Sequence, residues 1–228
     1  MLEGLAIVLL VINILLFLFA KLSSPNGTGT AVFSNGRSAP ASLPYDVNDF
    51  CAYHSHIVLQ SFEQGGARFI FDCKLPECDE PIDMIMLAKS GAYVFKHVKV
   101  AGWISGMENS EKWTQRVQMG YGRRPQEDKF DNPVMLVEDE VHKVRRFIDR
   151  DGLLVRSVVV FPDFCALNNI KVFNPNTRVV TLDQLLPSLV TLNNKTGTNI
   201  TQHEINELYD EMIQYEIIPT DEAEQYEG

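Results

Sequence analysis

A chain of 228 residues has room for one core-bearing domain with accessory segments and excludes two large domains. Its 45% apolar and 10% aromatic content excludes a disordered or fibrous chain. The net charge of −10 is unevenly placed: residues 202–228 carry nine acids and no lysine or arginine, whereas residues 96–146 carry ten Lys/Arg against eight Asp/Glu, so the middle of the chain remains compatible with a phosphate-bearing partner.

Residues 4–20 are almost entirely Leu, Ile, Val and Phe, interrupted at Asn13 and closed by Lys21. A membrane-spanning helix needs about 20 apolar residues, with about 17 the lower end, and a snorkelling lysine helps a short one. The competing reading, a cleaved signal peptide, lacks its features: Glu3 and no cation precede the apolar run, and no A-x-A site follows it. The expectation is a transmembrane anchor over residues 1–22 in a single-pass membrane protein, with Lys21 placing the following domain on the cytoplasmic side. Residues 23–44, rich in Ser, Gly, Pro, Asn and Thr, read as a flexible linker.

Asp46 and Asp49 cap a helix predicted to run to about Gln64, with Phe50, Tyr53, Ile57, Val58 and Phe62 at helical spacing and Gly65-Gly66 as the stop. A first strand follows over 67–75, then an acidic turn over 76–81. Two apolar runs, 82–88 and 92–100, flank Lys89-Ser90-Gly91 and predict an antiparallel hairpin. Closure at that turn brings Asp83, at the start of the first strand, beside Lys96, His97 and Lys99 at the end of the second.

Residues 105–131 read as a long irregular segment carrying Trp113, Tyr121, Arg123, Arg124 and Lys129; interleaved aromatics and cations suit phosphates and stacked bases, while Trp113 competes for a place in the core. Asn132-Pro133 opens a helix over 134–149 that ends in Lys143, Arg145 and Arg146. Residues 153–161 form a strand of the kind buried on both faces. A short strand pair over 170–173 and 178–180, a helix over 181–192 and a polar break over 193–200 come next. Thr201 and Glu204 form a capping box before a helix over 205–215, whose stripe of Ile205, Leu208, Met212 and Tyr215 offers a protein partner an apolar face; residues 219–228 read as an acidic tail without fixed structure. The four cysteines show no paired CxxC spacing, which favours idle thiols in a reducing compartment over a zinc site of Cys73, Cys78, His54 and His56.

Several pieces recur in a familiar order: Ile82-Asp83, Gly91-Ala92-Tyr93-Val94-Phe95, Gly102-Trp103-Ile104 with Gly106, Lys112-Trp113-Thr114-Gln115, Phe130-Asp131-Asn132-Pro133, and Val158-Val159-Val160-Phe161. In that order they resemble the nuclease-related domain family, a branch of the restriction-endonuclease-like fold. The resemblance implies an α/β (α+β) domain over 45–192 with a mixed central sheet flanked by helices, followed by a C-terminal helix and acidic tail over 193–228. It also implies a metal site in which Asp83 is joined by an acid and a lysine two residues apart on the next strand. Anchored on Gly102-Trp103, the family's glutamate falls on Lys96, its lysine on Val98 and its later glutamine on Leu136, and the first helix offers Ala52, Tyr53, His54 and Ser55 where the family has another glutamate. Asp83 alone survives, with Lys99 replacing the lost lysine if a bulge shifts the register. A lysine in the acid's place repels a divalent cation. The expectation is therefore a domain without a cofactor that kept the fold and lost cleavage, binding nucleic acid through Lys96, Lys99, Trp113, Arg123 and Arg124, or a protein partner. Two alternatives stand beside it: an active, Mg²⁺-dependent DNA nuclease using Asp83, an acid from 77–80 and Lys99, and a membrane scaffold that binds no nucleic acid.

Overall fold

Strand alternation builds the centre of the domain. In a computed structural model that describes residues 50–118 and 124–217, the mixed α+β fold contains two mixed sheets and helices. The larger sheet has five strands in the order β1 (Arg68–Cys73), β2 (Ile82–Ala88), β3 (Gly91–His97), β7 (Val155–Phe161) and β9 (Thr177–Thr181). β1, β2 and β3 run antiparallel to one another, and β3–β7 and β7–β9 are parallel. The β2–β3 hairpin falls where the sequence predicts it. Gly91 closes it at φ 124°, and a Cβ there would lie 2.2 Å from the Leu154 carbonyl oxygen, so only glycine fits. β7 is buried along its whole length, as its apolar run requires.

Successive side chains of β3 feed two cores on opposite faces of this sheet. Ala92 and Val94 join Val134, Val137, Val141 and Val144 of helix α2 (Pro133–Ile148) and Ile205, Leu208 and Met212 of helix α4 (Gln202–Met212). Tyr93 and Phe95 join Leu59 of helix α1 (Ala52–Gln64) and Leu185 and Leu189 of helix α3 (Leu182–Thr196). The buried face of α1 runs through Ser55 and Leu59, with the predicted Val58 and Phe62 packed beside it, while Tyr53 and Ile57 lie nearly half a turn away and are 63% and 46% exposed. The capping box of Thr201 and Glu204 forms as predicted. The apolar stripe of α4 closes the domain's own core, since Ile205, Leu208 and Met212 are wholly buried and present no face to a partner.

The segment predicted to be irregular instead contributes strands to a second sheet, ordered β6 (Gln126–Asp131), β5 (Lys112–Val117), β4 (Gly102–Met107) and β8 (Cys165–Lys171). Its outer strands carry few apolar residues and are held by the ladder and by cross-strand ion pairs, Lys112 with Asp131 and Arg116 with Glu127. The predicted pairing of 170–173 with 178–180 does not occur, because β8 joins β4 and β9 joins β7. Helix α3 continues through the predicted polar break to Thr196 and stops at Gly197. Trp113 lies flat against Gly106, where a Cβ would come within 2.3 Å of its ring. Asn132 caps α2 through the Val134 N–H and donates to the carbonyls of Met107, Glu108 and Ser110, fixing the β4–β5 turn against the helix. The predicted anchor, linker and acidic tail lie outside the described residues, among which no helix is long and apolar enough to cross a membrane.

Candidate functional site

Asp83 is the second residue of β2, and the pairing of Met84 with Phe95 places it directly across from Lys96. Its Oδ2 accepts the His97 backbone N–H at 2.6 Å and lies 3.3 Å from His97 Nδ1, while its Oδ1 accepts from Lys96 Nζ at 3.3 Å. Lys96 Nζ also donates to Glu140 Oε1 of α2 at 2.8 Å. One ammonium thus sits between two carboxylates, with the three side chains only 13–25% exposed.

Electrostatics separate the two acids. Burial works to raise the Asp83 carboxyl, but the His97 hydrogen bond and the Lys96 charge outweigh it and hold Asp83 below its ordinary range. Burial likewise works to lower Lys96, and Asp83 and Glu140 together hold it above its ordinary range. Glu140 is pushed up to about 7, chiefly by burial and also by Asp83, against the pull of Lys96. Its Oε2 is buried and has no hydrogen-bond partner among the described residues. A single ammonium cannot compensate two buried carboxylates, and the proton that balances the trio belongs on Glu140.

His97 faces the opposite side of β3 from Lys96. Its Nε2 lies 2.8 Å from Ser55 Oγ, so Ser55, His97 and Asp83 stand in the order of a serine-nucleophile triad. Ser55 is 0% exposed and no substrate carbonyl can reach it. The relay acts as a clamp: Ser55 fixes the imidazole, and the imidazole with its own backbone N–H fixes Asp83.

A cavity of 690 Å³ opens at this end of the sheet, with Asp83, His97 and Lys99 on one wall and Asp72 and Glu216 on another. Lys99 is exposed and needs no bulge to reach it, because β3 keeps an unbroken register to His97 and Lys99 shares the face of that residue. Asp72 adopts a left-handed φ of 42°, and the β1–β2 ladder skips it between the pairs Phe71–Met84 and Cys73–Ile82. Burial and the nearby Asp83 charge raise its carboxyl.

The other predicted contacts are dispersed. Trp113 is wholly buried, its ring stacked on Phe161 and its Nε1 donating to the Met107 carbonyl, which removes it from any base-stacking surface. Arg124 is exposed just ahead of β6, and Arg123 lies outside the described residues. The acidic turn ties its Glu77 to Arg146 at 2.7 Å and sends no acid to Asp83. Glu140, Ser55, Asp72 and Glu216 were missed by sequence reasoning. Only Glu140 left a signal, lying one helical turn beyond Leu136, where the family's glutamine falls.

Among the described residues no three His, Cys, Asp or Glu side chains converge as metal ligands. The donor set around Asp83 does not fit the Mg²⁺ that the family resemblance implies, because Lys96 Nζ stands between the two carboxylates that would have to hold it.

Residues 52–162 match a family model described as nuclease-related domain. An uncharacterized protein of Bacillus anthracis is 24% identical over 140 residues, and the match spans 61% of this chain and 61% of that relative's length. No solved structure matches the chain.

Proposed function

Through residues 52–162 the chain belongs to the nuclease-related domain family, and from that premise we propose that it is a membrane-anchored member with a restriction-endonuclease-like core that binds rather than cuts. The observation that carries this reading is the Lys96 ammonium between Asp83 and Glu140. The protein's own cation holds the place of the catalytic metal, so the site has neither the vacancy nor the spare negative charge that phosphodiester hydrolysis by a bound Mg²⁺ requires. Nucleic acid or a protein partner is what such a domain holds. For nucleic acid, the cations without an ion pair to a described residue include Lys99 and Arg124, with Arg123 beside the latter in sequence; Lys96 contributes little, because its charge is spent on the two acids. The apolar run over residues 4–20 supplies the anchor and Lys21 a cytoplasmic orientation.

Incubation of plasmid and single-stranded DNA with Mg²⁺ or Mn²⁺ tests the loss of hydrolysis, and neither wild type nor Asp83→Ala should nick either substrate. Cutting by wild type that disappears in Asp83→Ala overturns it. DNA anisotropy at graded salt tests the binding arm: a Lys99→Glu, Arg124→Glu double variant should flatten the slope of log K against log salt by about two. Membrane fractionation tests the anchor, since removing residues 1–22 should move the protein to the soluble fraction.

A second reading has its own support. Asp72, Asp83 and Lys99 border one cavity, and a divergent active nuclease would use those three. Asp72→Ala separates the two readings in the same nicking assay, because only an active enzyme has cutting to lose.

A further inference from the structure

The cavity beside Asp83 has walls of two kinds. Tyr53 and Phe71 give it aromatic surface, and Asp72, Asp83 and Glu216 give it three carboxylates against the ammonium of Lys99, with His56 and His97 also on the lining. Lys96 compensates Asp83 from behind. Glu216 keeps one oxygen on the Phe71 backbone N–H at 2.7 Å, and no described residue bonds the other. Asp72 makes no side-chain hydrogen bond or ion pair to a described residue, and stands at a β1 position where the backbone leaves the ladder. After these pairings, Asp72 and Glu216 stand against Lys99 and the imidazoles of His56 and His97, which leaves one negative charge in excess while both imidazoles are neutral. At 690 Å³ the space lies within the range of small-molecule sites.

An excess carboxylate flanked by aromatic rings attracts a cation that can shed its water against a π face, which a hydrated metal ion does poorly and an alkylammonium does well. We propose that this cavity binds an alkylammonium group, with its charge against Asp72 and Glu216 and its methylenes against Tyr53 and Phe71. The inference rests on the non-cutting reading to one extent: a divalent ion loaded at Asp83 would place a competing charge in the same space. Both a free amine and a lysine side chain of a protein partner present this chemistry.

The full chain in a neutral detergent, titrated calorimetrically at fixed ionic strength, tests the proposal. The probes are n-butylamine, its neutral counterpart n-butanol, and N-acetyl-lysine amide. Saturable binding of butylamine with none of butanol is expected. Asp72→Asn keeps a residue type that tolerates the left-handed region, and should weaken butylamine binding about tenfold or more. Tyr53→Ala, at an exposed position, should weaken it roughly three- to tenfold. A preference for the lysine amide identifies a partner's side chain as the natural occupant, and a preference for butylamine identifies a free amine. No saturable butylamine binding, equal binding of butanol, or unchanged affinity in Asp72→Asn overturns the proposal. The nicking assay remains a separate measurement: Asp83-dependent cutting would sink the non-cutting reading while the titration still reports on the amine.

Discussion

Replacing Glu140 by glutamine removes an ionisable group whose charge the fold opposes and keeps an oxygen for Lys96 Nζ. The folded carboxyl titrates at about 7 against an ordinary 4.5. A raised carboxyl favours the folded state while protonated, so its stabilising contribution is present at pH 4 and is lost as pH rises from 4.5 through 7. The difference of about 2.5 units corresponds to about 3 kcal/mol. The other members of the trio do not titrate in that window, because Asp83 is held below its ordinary range and Lys96 above its own. Wild type should therefore lose about 3 kcal/mol between pH 4.5 and 8 that Glu140→Gln keeps. For a chain of this size that is a relative Tm gain of roughly 6–12 °C for the variant at pH 8, with the two proteins nearly equal near pH 5. Trp113, buried in the core, reports unfolding by its fluorescence. An equal Tm difference at pH 5 and pH 8 would show that Glu140 ionises as an exposed glutamate does, and the account of Lys96 as a cation overcommitted between two acids would fail.

Three further expectations follow from neighbouring contacts. Ser55→Ala should cost about 1–2 kcal/mol in urea unfolding, because it strips His97 Nε2 of its buried partner, and wild-type Ser55 should stay unlabelled by a fluorophosphonate; labelling would show that the triad is open. Gly106→Ala drives a Cβ into the Trp113 ring and should destabilise by about 1–3 kcal/mol with a red-shifted emission maximum, whereas an unshifted spectrum would place the indole elsewhere. Asn132→Ala removes a helix cap and the tie to three carbonyls; a loss of about 1–2 kcal/mol is expected, with faster amide exchange across residues 107–110, and unaltered exchange there would contradict the tie.

Signals that act over a few residues were legible in the chain. Gly91 marks the hairpin because its φ and its contact with Leu154 both exclude a side chain. Asn132-Pro133 and Thr201 with Glu204 mark helix starts because each cap bonds an amide two or three residues away. The apolar run of β7 announces a strand covered on both faces. The polar strands β5 and β6 carried no such mark, since they are stabilised by the ladder itself, and a ladder exists only once its neighbour is in place.

The site divides along the same line. Sequence placed Asp83 beside Lys96, His97 and Lys99, because one turn joins their strands. It could not supply Glu140, 44 residues from Lys96, Ser55, 42 from His97, or Glu216, 145 from Phe71. Those partners depend on which helix covers which face of β3 and on where the chain returns after α4. Packing across the sheet settled both, and with them the placement of Lys96 between Asp83 and Glu140.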